Sequence, residues 1–195
     1  MKKIGLFFGS FNPIHIGHLA VAQYMWQEIP FDEVWLMISP HNPHKEIEEV
    51  LSVKRRLKMA KLAIGKHPAI KASDIEFNLS LPSYTINTLK FLENTYKKHK
   101  FSLIMGEDNL VKFNCWKAYD EILNNYKIFI YPRKMKEGAE IPANILKHKN
   151  IHFTRAPLIE ISATMIRTGI QEKKDHRFYL TKNVYTYIRE NKLYQ

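Results

Sequence analysis

The chain has 195 residues, 30 Lys and Arg against 19 Asp and Glu, a formal charge of +11, and 45% hydrophobic residues. A chain of this size buries roughly 70% of its unfolded surface, so a core alone can hold a single domain over 1–195. Cys115 is the one cysteine, which excludes a disulfide-stapled scaffold and a cysteine-based zinc module. Seven glycines, nine prolines and 12% aromatics exclude a low-complexity or disordered chain.

Short apolar runs alternate with longer segments of helical period, the pattern of an α/β fold with a mostly parallel sheet. Ile4–Phe8 reads as the first strand and Ile16–Glu28 as the helix after it. Lys2-Lys3 before this apolar run imitates a signal peptide. Ser10, Asn12, His15, His18 and Gln23 interrupt the run, and Pro13 breaks any helix through it, so a cytoplasmic protein without membrane association is expected. Val34–Ser39 is the second strand, followed by a polar loop, Pro40–Glu49. Ser52 is placed to cap a helix through Lys66, and Ala69–Ala72 is a third strand. Ser83 or Thr85 begins the helix carrying Ile86, Leu89, Phe91 and Leu92, which fades into Lys97–Lys100. Phe101–Met105 is a buried strand ended by Gly106. A helical segment with Trp116, Tyr119 and Leu123 precedes the strand Lys127–Tyr131. Pro132–Lys149 reads as a surface loop with a short helix near Ala143–Lys147. Ile151–Thr154 is the last strand, Ser162 caps a helix through Gln171, and Asn183–Asn191 is the final helix, so that 162–195 form a small helical extension. The basic clusters, among them Lys54, Arg55, Arg56, Lys58 and Lys61, read mostly as solvated helix faces.

In an open parallel sheet ligands bind outside the carboxyl ends of the strands. The first strand ends in Gly9-Ser10-Phe11-Asn12-Pro13-Ile14-His15-Ile16-Gly17-His18, and the second in Pro40-His41-Asn42-Pro43-His44-Lys45. Later strands end in Gly106-Glu107-Asp108, in Pro132-Arg133, and in Ile161-Ser162-Ala163-Thr164 with Arg167 one turn on. Histidines, cations, hydroxyls and helix N-termini therefore converge on one edge, and such an edge suits phosphates. His15 and His18 are spaced to share one helix face, and Gly17 between them leaves room for a flat base or phosphate to approach the backbone. A zinc site from His15, His18, His41 and His44 is possible by residue type, although a Gly-Ser turn suits phosphate better. No G-x-x-x-x-G-K-[ST], G-x-G-x-x-G or G-x-S-x-G occurs, which removes the main support for a P-loop enzyme, a dinucleotide-binding dehydrogenase and a serine hydrolase.

The stretch Gly9–His18 resembles the (G/S/T)-F-(D/N)-P-x-H-x-G-H signature of the HxGH nucleotidyltransferases, and Ile161–Arg167 resembles their second signature, I-S-(A/S)-T-x-(I/V)-R. Ser83-Tyr84-Thr85, Gly106–Leu110, Trp116 and the closing Val184–Tyr194 are similar to motifs of one branch, the nicotinate-nucleotide adenylyltransferases. The resemblance covers essentially the whole chain. One departure is Asn42-Pro43-His44-Lys45, where the branch usually has P-P-H-(K/R). His15-Ile16-Gly17-His18 also spells the HIGH motif of class I aminoacyl-tRNA synthetases. The chain is too short for their anticodon domain, and its nearest match to their second motif lies inside an amphipathic helix.

The resemblance implies a Rossmann-like, doubly wound fold with helices on both faces, and AMP transfer from ATP to the phosphate of nicotinate mononucleotide, with release of diphosphate in NAD biosynthesis. It implies that His15 and His18 bind the ATP phosphates, that Lys45 and Arg167 hold the leaving diphosphate, and that Ser162 with the N–H groups after it caps a phosphate beside Ile161. Gly9, Ser10, Phe11 and Gly17 are then expected to cradle the nucleotide, and Gly106 with Asp108 to meet ribose. Trp116 is expected to stack on the pyridine, Ser83-Tyr84-Thr85 to receive its carboxylate, and Arg133 with Asn42 and His44 to hold the mononucleotide. Mg²⁺ is expected mainly on the triphosphate, with no metal site of the protein's own. The competing expectations are an HxGH enzyme acting on phosphopantetheine or glycerol 3-phosphate, and a basic nucleic-acid-binding protein; neither the oligomeric state nor the preference for nicotinate over nicotinamide mononucleotide follows from the residues.

Overall fold

The computed structural model describes residues 1–40 and 51–195. Six strands form one sheet: β1 (Lys2–Gly9), β2 (Glu33–Ile38), β3 (Ile70–Ser73), β4 (His99–Gly106), β5 (Ile128–Tyr131) and β6 (Ile151–Phe153). They pair in the order β3-β2-β1-β4-β5-β6, and every pairing is parallel. The chain winds outward from β1 to one edge, returns to β4 beside β1, and winds outward to the other edge. The reversal leaves a crevice between the carboxyl ends of β1 and β4.

Alternation along the strands divides the core in two. Ile4, Leu6, Met37, Leu103 and Met105 face one layer, made with α3 (Thr85–Thr95) and α5 (Tyr119–Asn125). Phe7, Leu36, Ile38 and Ile104 face the other, made with α1 (Ile16–Glu28), α2 (Val53–Ile64), α7 (Ala163–Gln171) and α8 (Lys182–Glu190). Two one-turn helices, α4 (Glu107–Leu110) and α6 (Ala143–Leu146), complete the set, the latter pinned by buried Ile145. Among the described residues no helix is long and apolar enough to cross a membrane.

Several local expectations need correction. Ser52 occupies the N-cap of α2 but its side chain makes no capping bond. α3 begins at Thr85, one of the two expected starts, with Tyr84 and not a hydroxyl residue of the expected pair at its N-cap; the Tyr84 carbonyl accepts from Asn87 N at 2.9 Å, and the Ser83 hydroxyl is buried without a partner. Trp116 lies outside any helix. It follows a 3-10 turn (Phe113–Cys115), and Ala118 in left-handed backbone at φ 53° delays α5 to Tyr119. β4 starts two residues early because His99 and Lys100 pair with Lys2 and Lys3 at the strand mouths, where charged ends reach water. Thr181 caps α8, accepting from Val184 N, which starts that helix at Lys182. Ser162 caps α7 as expected, its Oγ accepting from Met165 N at 3.1 Å. The largest correction concerns Arg56, read as part of a solvated cluster: it is 1% exposed.

Candidate active site

A cleft of about 750 Å³ opens at the crevice between β1 and β4. Its lining includes Gly9, Ser10, Phe11, His15, Gly17 and His18 from the β1–α1 loop and start of α1, and Ile161, Ser162 and Arg167 around α7. It also includes Gly106 and Asp108 after β4, Arg133 after β5, and Ser83, Tyr84, Thr85 and Trp116 at the start of α3 and after the 3-10 turn. The residues from α1 and α7 belong to one helical layer and those around α3 and α5 to the other, so the cleft straddles the sheet edge. Asn42, His44 and Lys45, and with them His41, lie outside the described residues.

The β1–α1 loop is tightly determined. Phe11 sits at φ 47°, a left-handed backbone that costs a bulky L-residue about 1–2 kcal/mol, and its ring is 1% exposed. The ring turns into the core beneath Gly9 and meets the His18 ring edge-on at 4.9 Å. Phe11 therefore supports the cleft floor from below instead of cradling a ligand with its ring. Arg56 donates from Nη1 to Ser10 O (2.7 Å) and Ser39 O (2.8 Å), from Nη2 to Pro40 O (3.3 Å) and from Nε to Leu51 O (2.9 Å). One buried guanidinium thus ties the ends of β1 and β2 to the approach to α2. Burial lowers its pKa, with Tyr194 opposing, but an arginine stays charged at neutral pH.

His15, 5% exposed, is the N-cap of α1, and its main-chain N–H donates to His18 Nδ1 at 3.3 Å. The two rings stack with centroids 3.7 Å apart. Since His18 Nδ1 accepts, the proton of its neutral ring sits on Nε2. Burial, aided by the nearby Arg133 charge, lowers the His15 pKa to about 4, so His15 is neutral at pH 7. Its Nδ1 is buried and turned toward the His18 main-chain N–H in a capping-box arrangement, without a hydrogen bond of good geometry. Gly17 has a different reason from the one expected. A Cβ there would lie 3.0 Å from His15 Nδ1 and from Ile159 Cγ2, so the missing side chain makes room for the His15 ring, and Gly17 also lines the cleft. Gly106 behaves alike: a Cβ would lie 2.5 Å from Asp108 Oδ1 and 2.9 Å from Arg133 Cγ.

Two arginines are steered by main-chain carbonyls. Arg167 Nη1 donates to Asn12 O at 2.9 Å, and Arg133 Nη1 to Ile159 O at 3.2 Å, with Asp108 Oδ2 4.0 Å from Arg133 Nε. With Ser162 capping α7, the free N–H groups of that helix's first turn open on the same wall. On the opposite wall Trp116 is half-buried against Phe113, ring to edge at 5.4 Å, and Lys117 Nζ lies 4.4 Å from the centre of the Tyr84 ring. Such a wall offers an aromatic plane beside a cation. Among the described residues no three His, Cys, Asp or Glu side chains gather as a metal cage requires.

Sequence reasoning missed Arg56, Asn12, Lys117 and Tyr194. Asn12 is 2% exposed; its carbonyl accepts from Arg167 and its Oδ1 accepts from Tyr194 Oη at 2.7 Å. Only the position of Asn12 inside the Gly9–His18 signature could have pointed to it.

The family described as cytidylyltransferase-like matches residues 6–169. A Flavobacterium psychrophilum protein named "Probable nicotinate-nucleotide adenylyltransferase" is 44% identical over 193 residues, 99% of each chain. A Bacteroides thetaiotaomicron protein of the same name is 43% identical over 188 residues, covering 96% of this chain and 91% of its own. Among solved structures, Plasmodium falciparum nicotinic acid mononucleotide adenylyltransferase complexed with NaAD superposes with a TM-score of 0.79 at 20% identity, covering 100% of this chain and 98% of its own, a likeness of fold.

Proposed function

Because the chain belongs to the cytidylyltransferase-like family, and within it to the nicotinate-nucleotide adenylyltransferases, we propose that it transfers AMP from ATP to the 5′-phosphate of nicotinate mononucleotide, releasing diphosphate and forming nicotinate adenine dinucleotide in NAD biosynthesis. The observation that carries this reading is the convergence of both signatures and of Ser83-Tyr84-Thr85 and Trp116 on one cleft at the sheet's reversal point. The whole of 1–195 then works as one nucleotidyltransferase domain.

In this reaction a phosphate oxygen of the mononucleotide attacks the α-phosphorus of ATP in line, and the bond to the β-phosphate oxygen breaks with its electrons. The attacking oxygen is already anionic near neutral pH, so no strong base is needed. The protein supplies alignment and neutralises charge that grows on the transferring and leaving groups. His18 is read as the donor to the α-phosphate through Nε2–H. His15, neutral, is read as a second donor, to a neighbouring phosphate oxygen. Full positive charge comes instead from Arg167 and, in the same reading, from Lys45, on the leaving diphosphate. Ser162 and the first turn of α7 receive a further phosphate oxygen. Gly9 and Ser10 line the nucleotide, and Asp108 beside Gly106 faces ribose.

On the opposite wall Trp116 offers a plane to the pyridine and the start of α3 offers main-chain N–H groups to its carboxylate, while Arg133 lies between the walls for the mononucleotide phosphate. Asn42 and His44 are read as part of the same subsite. A divalent cation, Mg²⁺ in this reading, enters on the triphosphate as part of the substrate, which asks few ligands of the protein.

The test is diphosphate release by the purified protein with ATP and Mg²⁺, comparing nicotinate mononucleotide, nicotinamide mononucleotide, phosphopantetheine and glycerol 3-phosphate as acceptors. Release with nicotinate mononucleotide that falls sharply with the amide is the expected result. Release with another acceptor alone would keep the phosphate site and discard the roles of Tyr84, Thr85 and Trp116.

A further inference from the structure

The β1–α1 loop must hold its shape while a polyphosphate binds and leaves, and Asn12, 2% exposed, lies within it ahead of His15 and His18. Asn12 is held from two distant parts of the chain. Its carbonyl accepts from Arg167 of α7, and its side-chain Oδ1 accepts from the Tyr194 hydroxyl at 2.7 Å, across 182 residues. The delivery of that hydroxyl is built into the carboxyl-terminal turn. Leu193, 2% exposed, belongs to the core layer that includes α2 and α8, and its N–H returns to Ile188 O at 3.0 Å. Tyr194 follows at φ 64°, and its hydroxyl reaches the Asn12 side chain near the Arg56 and Arg167 charges.

We propose that Tyr194 is a positioning residue for AMP transfer, its hydroxyl fixing Asn12 so that the loop presents His15 and His18 to the phosphates and leaves the Asn12 carbonyl aimed at Arg167. Asn12 thereby couples the two signatures, which lie on different helices, through one residue whose two oxygens are filled by groups from α7 and from the carboxyl terminus. Burial and the hydrogen bond from phenol to amide oxygen explain why a hydroxyl is needed: a phenylalanine fills the same space and leaves Asn12 Oδ1 without its donor. Packing of the ring belongs to the fold, and the oxygen belongs to the loop.

This inference rests on the reading of the cleft as an AMP-transfer site. The test is Tyr194→Phe, assayed with ATP and nicotinate mononucleotide beside a thermal melt, so that activity is expressed per folded molecule. The expected result is a fall in kcat of about tenfold, from loss of one hydrogen bond to a group that orients the reacting centre, with the KM for nicotinate mononucleotide within about twofold. The same change made in an Asn12→Ala background is expected to cost less than about twofold, because the hydroxyl then has no oxygen to hold. Turnover per folded molecule within about twofold of the parent would overturn the proposal. So would an undiminished effect in the Asn12→Ala background, which would send the hydroxyl's action elsewhere. A parent protein that releases no diphosphate with any acceptor would remove the reading of the cleft, whereas an active parent with an unimpaired Tyr194→Phe removes only the positioning role.

Discussion

Arg56→Met tests whether one buried cation holds the floor of the cleft. The substitution keeps an apolar stem in a site that is 1% exposed and removes four donations to carbonyls, three of them at 2.7–2.9 Å. A hydrogen bond to a charged group contributes about 1.5–3 kcal/mol, so three good ones could total well above 4 kcal/mol. The variant also escapes the cost of burying the guanidinium, which offsets part of that loss. Each buried carbonyl left without its donor costs about 1–3 kcal/mol, so with the desolvation offset the net loss is taken as about 4 kcal/mol. In a urea titration with a slope near 2 kcal/mol/M, the midpoint should drop by about 2 M. Arg55→Met supplies the control, since Arg55 is exposed on the same helix and should change stability by no more than about 0.5 kcal/mol. Equal midpoints for the two variants would refute the clamp and return Arg56 to the solvated surface.

Gly17→Ala should leave stability near that of the parent, because alanine's helix propensity, worth up to about 1 kcal/mol, opposes the crowding of a Cβ 3.0 Å from His15 and Ile159. The displaced His15 ring should lower kcat by about 10–100-fold, and a variant with full turnover would show that the ring's place does not matter. Stability should also fall on acidification between pH 6.5 and 4, by at most ~3 kcal/mol from His15, because there the unfolded chain takes up a proton that the buried ring refuses until about pH 4. Urea titrations at pH 7 and 4.5, beside a His15→Asn variant that should be flatter over this range, check it; Glu33, which burial pushes up but Lys2, Lys71 and Trp35 hold down to about 2, begins to contribute only near pH 4.5 and does so mainly below it, equally in both proteins. Equal slopes with pH in both proteins would exclude His15 as the source.

The fold was legible because two periods carry it. Short apolar runs marked all six strands to within a few residues, and the helical period marked the segments between them. The candidate site was legible for a related reason: in a parallel sheet the strand ends are known once the strands are, so unusual residues at those ends fall on one edge. Arg56 was not legible, since a cation in a run of cations looks the same whether it faces water or four carbonyls. Tyr194 stood in the closing motif, but its contact was hidden by the 182 residues that separate it from Asn12. Trp116 was drawn into a helix because nothing about an alanine announces left-handed backbone at position 118.

The glycines of the cleft show what the signatures encode physically. Gly9 lies against the Phe11 ring, Gly17 against His15 and Ile159, and Gly106 against Asp108 and Arg133, each within 3.1 Å of where its Cβ would stand. In all three cases the space is taken by the protein's own side chain. A cleft lined at one sheet edge by rings and guanidinium groups has to admit them between strand and helix, where the backbones already approach closely. The absent Cβ is what admits them. Substitution at Gly17 or Gly106 should therefore act by displacing His15 or the Asp108–Arg133 pair, and its cost should follow how far that neighbour can yield, rather than the size of the ligand that enters the cleft.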